Sequence, residues 1–158
     1  MQYNKLHESI INLKNLIERM KSRSRKIALQ QDVKGNAIFK NEFCTIKFSL
    51  PRRFGNTEIA IQLLGLFPKA ILLEPNGVTV ADAKSRIKKQ KLKFENRVFQ
   101  FSYLNRRNDL CTIKTVHRPS LVIVDTSTYY YNNPCHDINL MLKYDVYEIN
   151  STAFIFLG

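Results

Sequence analysis

Apolar positions near the start of the chain recur at helical spacing. Between residues 4 and 26 an apolar side chain returns every three or four positions, at Leu6, Ile10, Leu13, Ile17 and Met20. This period places them on one face of an α-helix and leaves polar residues on the other face. The pattern predicts an amphipathic helix within an N-terminal helical extension over residues 1–40.

From residue 43 onward, short apolar runs alternate with segments of helical pattern. The apolar runs predict strands at 43–50, 69–75, 97–104, 120–125 and 151–158. The helical patterns predict helices at 56–67, 79–94 and 135–145. Asn56 or Thr57 is an acceptable N-cap for the first of these helices. The segment at 110–116 predicts a further strand that pairs with 97–104. Buried strands alternating with helices favour an α/β fold with a mainly parallel sheet, whose ligands bind at the carboxyl ends of the strands.

The composition is that of a globular protein that works in a reducing compartment. The chain has 158 residues, of which 44% are apolar and 24% are charged, and this balance predicts a single domain, 1–158. No apolar run is long enough to span a bilayer, and no signal peptide is visible, so we expect no membrane partner and no secretion. Three widely spaced cysteines indicate free thiols. The spacing of Cys111, His117, Cys135 and His136 matches no zinc-ligand pattern, so we expect no zinc.

The strong positive charge predicts an anionic partner. Lysine and arginine number 25 against 13 acidic residues, which gives a net charge of +12. Nucleic acid is the commonest large anion, and an acidic protein surface is the alternative. The predicted nucleic-acid contacts are Lys84, Arg86, Lys88, Lys89, Lys91, Lys93, Arg106 and Arg107. An ordinary solvated helix surface would give the same pattern.

The segment "PRRFGNTE" at 51–58 follows the first of these strands and opens a helix, as a phosphate-binding loop does. The usual pattern is G-x-x-x-x-G-K-[ST]. Gly55 and Thr57 fit the second glycine and the hydroxyl residue, whereas Leu50 replaces the first glycine and Asn56 replaces the lysine. The alternative interpretation is a turn at Gly55 followed by a helix that Thr57 caps.

The surroundings of this loop resemble the ATPase domain of large terminase subunits, the DNA-packaging motors of tailed phages and herpesviruses. "FSLPRRFGNT" is similar to their variant Walker A loop, and "SLVIVD" is similar to their Walker B strand. "TAFIFLG" resembles the strand that leads into their coupling motif. The resemblance covers residues 43–158 and implies a P-loop NTPase-like core without a nuclease domain. It also implies that "AFIFLG" lies between "CTIKFS" and "SLVIVD", with all three strands parallel.

The resemblance implies a site for ATP and Mg²⁺. The implied cofactor-binding residues are Arg52, Arg53, Gly55, Asn56, Thr57 and Asp125, and Thr57 and Asp125 would hold the metal. Two departures bear on hydrolysis, because Asn56 replaces the phosphate-binding lysine and Thr126 replaces the glutamate that activates water. Losing a general base alone costs about 10²- to 10⁴-fold in rate. Glu58 and Glu74 are conceivable substitutes for that base.

Three hypotheses about function remain open from the sequence. The first is a catalytically inactive, P-loop NTPase-like accessory or structural protein of a viral nucleoprotein assembly, located in the host cytoplasm or the virion. The second is a working ATPase in which an arginine replaces the Walker lysine. The third is a DNA-binding protein that recognises nucleic acid independently of sequence.

Overall fold

The computed structural model describes residues 2–31, 43–48, 55–100, 112–125 and 152–158. The helices are α1 (Gln2–Gln31), α2 (Asn56–Leu66) and α3 (Gly77–Lys89). The strands are β1 (Thr45–Phe48), β2 (Ala70–Glu74), β3 (Val98–Gln100), β4 (Leu121–Asp125) and β5 (Ala153–Leu157). A 3₁₀ turn, Glu95–Arg97, precedes β3, and a π-helical turn, Ile113–His117, precedes β4.

The five strands form one sheet in the order β1-β5-β4-β2-β3, and every neighbouring pair is parallel. Although β5 is the last strand in the chain, it lies between β1 and β4. Ile155 of β5 pairs with Ile46 on one side and with Ile123 on the other. This placement confirms the predicted strand order and the α/β class with a parallel sheet.

The core is built on the three central strands, since every residue of β2, β4 and β5 is buried. Alternate residues of these strands, such as Leu72, Ile123 and Ile155, pack in one cluster with Ile59 and Leu63 of α2. The intervening residues are also buried. A strand covered on both faces has no polar alternation, which explains why these segments are continuous apolar runs in the sequence.

Helix α1 belongs to this same core. Ile10, Leu13 and Ile17 are buried in the cluster, and Leu6 and Met20 pack against it, as the apolar stripe predicts. Leu6 lies near the start of α2, where its Cδ1 would be 3.9 Å from a Cβ added to Gly55. Lys21, Ser22, Arg25 and Lys26 share a cleft with Phe67, which follows the end of α2. The two helices therefore run side by side in the same direction.

Two boundaries of the predicted helices differ in the structure: the start of α2 and the end of α3. The N-cap of α2 is Gly55, with a φ of 89° and no side-chain cap, rather than Asn56 or Thr57. This left-handed conformation is one that glycine adopts without strain. Helix α3 ends at Lys89 rather than at residue 94, because Lys91 is left-handed with a φ of 57°. The N–H groups of Lys91 and Leu92 then bond to the carbonyls of Lys88 and Ile87, at 2.9 and 3.1 Å, and close the helix.

The predicted strand at 110–116 is wrong in the part that the structure describes. Ile113–His117 forms a π-helical turn, closed by the bond from Arg118 N–H to the Ile113 carbonyl at 2.9 Å. A few residues of alternating pattern do not separate a strand from a helical turn. The predicted helix at 135–145 lies outside the described residues. Among the helices described, none is long and apolar enough to cross a membrane.

Candidate functional site

Three elements meet at the carboxyl end of the sheet. Thr57 lies in the first turn of α2, Glu74 ends β2 and Asp125 ends β4. Strands β2 and β4 are neighbours, with Leu73 paired to Val124, so their last residues lie side by side. Thr57 lies close enough to Asp125 for its side chain to lower the pKa of that carboxyl group. The structure thus brings together the two residues predicted to hold a metal ion and adds a second carboxyl group.

The two carboxyl groups form a buried pair. Glu74 is 1% exposed and Asp125 is 9% exposed. Burial, followed by the charge of Asp125, raises the pKa of Glu74 to about 9. Burial also raises the pKa of Asp125, although hydrogen bonds from Thr57 and Glu74 oppose this rise. At neutral pH Glu74 therefore keeps its proton and donates it to ionised Asp125, so the pair carries one negative charge.

Two buried oxygen atoms at this edge have no hydrogen-bond partner within the described part of the chain. They are Glu74 Oε1 and Asn56 Oδ1. A buried acceptor that lacks a donor costs about 1–3 kcal/mol, so both atoms are suited to a ligand that brings a proton or a cation. The side chains of Thr57, Glu74 and Asp125 offer the oxygen ligands that Mg²⁺ prefers.

The donor set is small for a metal site made by protein alone. Within the described residues, no group of three His, Cys, Asp or Glu side chains could hold a metal ion. Mg²⁺ commonly uses one or two carboxylates and completes its shell with water and substrate phosphates. The residues present therefore fit Mg²⁺ that arrives with a phosphate ligand better than a permanently bound ion.

The start of α2 provides the other half of the site. Gly55 turns the chain into the helix, and its carbonyl accepts the first helical bond, from Ile59 N–H at 2.9 Å. The amides of a first helical turn have no partner inside the helix and form an anion-binding end. Asn56 stands where the usual phosphate-loop pattern has its lysine, and it carries no charge. Arg52 and Arg53, the predicted cations of this loop, lie outside the described residues.

Of the two possible replacement bases, Glu58 and Glu74, only Glu74 lies beside Asp125. The Glu58 carboxylate instead accepts hydrogen bonds from the amides of Gln62, at 2.9 Å, and Gln90, at 3.1 Å. Glu58 thereby ties α2 to the end of α3. The sequence alone gives Glu74 little weight, because Glu74 and Asp125 belong to different strands. The missing signal is the strand order, which makes those two strand ends neighbours.

The predicted nucleic-acid residues on and after α3 do not behave alike. Lys88, Lys89, Lys91 and Lys93 are exposed, and Lys84 is partly exposed. Arg86 instead forms an ion pair with Asp82, with 2.8 Å between Nε and Oδ2, and its charge acts on Asp125. Arg86 therefore belongs electrostatically to the carboxyl pair. Arg106 and Arg107 lie outside the described residues.

Cys44 and His117 both pack against neighbouring side chains in the described structure. Cys44 is buried beside Ala28, and His117 packs edge-on against Phe99 with 5.3 Å between ring centres. Cys111, Cys135 and His136 lie outside the described residues.

Comparison with known proteins adds no assignment to this geometry. No family model, curated protein or solved structure matches the chain.

Proposed function

We propose that this chain is a P-loop NTPase-like protein that binds nucleotide with Mg²⁺ but does not hydrolyse it alone. It would serve as an accessory or structural component of a viral nucleoprotein assembly, in line with its terminase-like motifs. The observation that carries the proposal is the proximity of Thr57, in the first turn of α2, to the buried Asp125 at the end of β4, close enough for Thr57 to lower the pKa of that carboxyl group. A left-handed glycine precedes that turn, and β5 lies between the two strands that lead to these residues.

The proposed binding uses the groups at this edge in distinct roles. The first-turn amides of α2 would bind phosphate oxygens, because their N–H groups point out of the helix end. Thr57 and Asp125 would hold Mg²⁺, which supplies the positive charge that Asn56 lacks. The partnerless Oε1 of Glu74 is a further ligand for the ion or for its water shell.

The lack of hydrolysis follows from the state of Glu74. A general base must be ionised in order to accept a proton from water. With a pKa of about 9, Glu74 is protonated at neutral pH. Asn56 also removes the cation that would stabilise charge on the phosphates during transfer. Among the residues that the structure describes at this site, neither an ionised base nor a phosphate-binding cation is therefore present.

Titration with a fluorescent ATP analogue, with Mg²⁺ or with EDTA, tests the binding. We expect Thr57→Val and Asp125→Asn to weaken Mg²⁺-dependent binding by about tenfold or more, since each removes a charged or polar ligand worth at least about 1.4 kcal/mol. Glu58→Gln is the matched control. It removes a carboxylate from the same helical turn, but that carboxylate already accepts hydrogen bonds from the side-chain amides of Gln62 and Gln90. Unchanged binding by Asp125→Asn would contradict the proposal.

A working ATPase is the second candidate, and the position of Glu74 favours it. This candidate differs from the first in how Glu74 responds to Mg²⁺. If the bound cation displaces the proton of Glu74, an ionised base lies next to the site; if Glu74 keeps its proton, no base is present. Steady phosphate release above background that Glu74→Gln abolishes would establish this candidate. If Arg52→Ala abolished the release as well, an arginine would be acting in place of the Walker lysine.

A further inference from the structure

A cationic cleft lies at the opposite end of α2 from the carboxyl pair. Its volume is about 440 Å³, and its lining consists of Glu18, Lys21, Ser22, Arg25, Lys26 and Phe67. All but Phe67 come from α1. Phe67 follows Thr57 by ten residues along α2, which places the cleft about 15 Å along the helix axis from Thr57. It shares no residue with the proposed nucleotide site.

The charges that line the cleft are not balanced within the described part of the chain. Lys21, Arg25 and Lys26 face one carboxylate, Glu18, whose Oε1 lies 3.9 Å from Lys14 Nζ. None of the three cations has an ion-pair partner among the described residues. Burial, followed by the charge of Arg25, lowers the pKa of Lys21. An anion entering the cleft would relieve this crowding of like charges.

Phe67 gives the cleft an aromatic wall held in a fixed position. It follows the last turn of α2 and packs partly against the core. Arg97 Nη1 donates to the carbonyls of Phe67 and Pro68, at 3.0 and 2.9 Å, and its guanidinium stacks on Phe94 at 4.7 Å. This clamp fixes the backbone at Phe67.

We propose that this cleft binds single-stranded nucleic acid, with its cations on successive phosphates and Phe67 against an unpaired base. Single strands are bound by grooves that combine cations along the backbone with aromatic stacking platforms. A duplex would offer phosphates but no free base for the ring. An acidic peptide would neutralise the cations but leave Phe67 without a stacking partner. The volume suits the insertion of one small group rather than of a whole helix.

Binding of a fluorescein-labelled oligo-dT to the full chain, followed by anisotropy at several salt concentrations, tests the cleft. The main variant is Arg25→Gln/Lys26→Gln, and the matched control is Arg19→Gln/Arg23→Gln. Both pairs remove two exposed positive charges from α1, but Arg19 and Arg23 do not line the cleft. We expect the cleft pair to weaken binding by about tenfold at low salt and the control pair by less than about twofold. The cleft pair should also flatten the salt slope by about 0.7 for each lost phosphate contact.

Phe67→Leu separates base stacking from charge. We expect it to weaken binding of oligo-dT by about fivefold or more, and to leave binding of an abasic strand of equal length nearly unchanged. Equal losses in the cleft pair and the control pair would overturn the proposal, because net charge alone would then explain binding. Competition by polyglutamate as strong as that by oligo-dT, with no effect of Phe67→Leu, would also overturn it and identify an acidic protein segment as the ligand. Circular dichroism of each variant establishes that it is folded.

Discussion

At the residue scale, Glu74 is the most unusual position in the described sheet. The four residues before it in β2 are apolar and buried, and it is itself 1% exposed beside a second acid. A carboxyl group in such a place is tolerated when it stays neutral, because burying an unpaired charge costs several kcal/mol. Its proton and its bond to Asp125 meet that condition. A leucine would stabilise the strand end more simply, so an acid at this position supports the proposed ligand site.

Because the pKa of Glu74 is raised in the folded chain, we expect the free energy of unfolding to depend on pH. Between pH 4.5, its ordinary pKa, and about pH 9, the folded chain holds a proton that the unfolded chain has released. The free energy of unfolding must therefore fall as pH rises through this window, by up to about 1.4 kcal/mol per pH unit from this group. The raised pKa of Asp125 acts in the same direction. Glu74→Gln, a neutral substitute of similar shape, should give a shallower fall between pH 6 and 8 in urea unfolding.

Glu58→Gln is the control for this measurement, since its carboxylate lies outside the buried pair. We expect it to retain the pH dependence of the parent protein. Parallel curves for the parent and Glu74→Gln would mean that Glu74 is already ionised in the folded protein at pH 6. Glu74 would then be available as a general base in the resting protein.

The sequence predicted part of this site for a clear reason. Thr57 and Asp125 belong to local motifs, a loop before a helix and the last residue of an apolar strand, and such motifs are visible in sequence. Glu74 and the cleft residues Lys21 and Arg25 depend on which elements become neighbours. No local pattern carries that information.

At the element scale, the end of α3 shows how a single backbone conformation sets a boundary. The apolar and basic pattern continues to residue 94, and a helix of that length was predicted. The chain instead leaves the helix through the left-handed Lys91 and the two bonds that follow it. The start of α3 is set in the same local way, because the Asn76 side chain accepts hydrogen bonds from Val78 and Thr79 N–H, both at 3.0 Å. Periodicity predicts that an element exists, whereas caps determine where it begins and ends.

Lys91→Gly tests this explanation of the boundary. Glycine adopts a positive φ without the steric cost that lysine bears, and it is the usual residue at this position of a helix end. We expect a gain of roughly 0.5–1 kcal/mol in the free energy of unfolding, measured by thermal or urea denaturation. Lys88→Gly, inside the helix, should instead lose roughly 1 kcal/mol. A loss in both variants would show that α3 does not end in this geometry.

At the scale of the whole molecule, the order of the strands was easier to predict from the sequence than the positions of the charged residues. The position of β5 between β1 and β4 was predicted from the resemblance to terminase ATPase domains, not from the order of the strands along the chain, and the registers confirm it. The positions of the basic residues in the fold were predicted less well. The pattern of one helix does not show which end of a neighbouring helix its charged residues will lie beside. The described structure places basic groups at both ends of α2. Gln90 connects the lysine-rich end of α3 to Glu58, and the cationic cleft lies beside Phe67.

The exposed lysines at the end of α3 are the predicted contact surface for double-stranded DNA. If they contact phosphates, Lys88→Gln/Lys89→Gln/Lys91→Gln should weaken binding of unrelated duplexes by similar factors, because phosphate contacts carry no base information. The salt slope should flatten by about 0.9 for each lost contact. Arg19→Gln/Arg23→Gln/Lys47→Gln removes three exposed charges elsewhere and should have a smaller effect. Stability should change by less than about 0.5 kcal/mol in either variant, as expected for exposed positions. If the α3 variant binds duplex as tightly as the parent at low and moderate salt, these lysines form only a solvated surface.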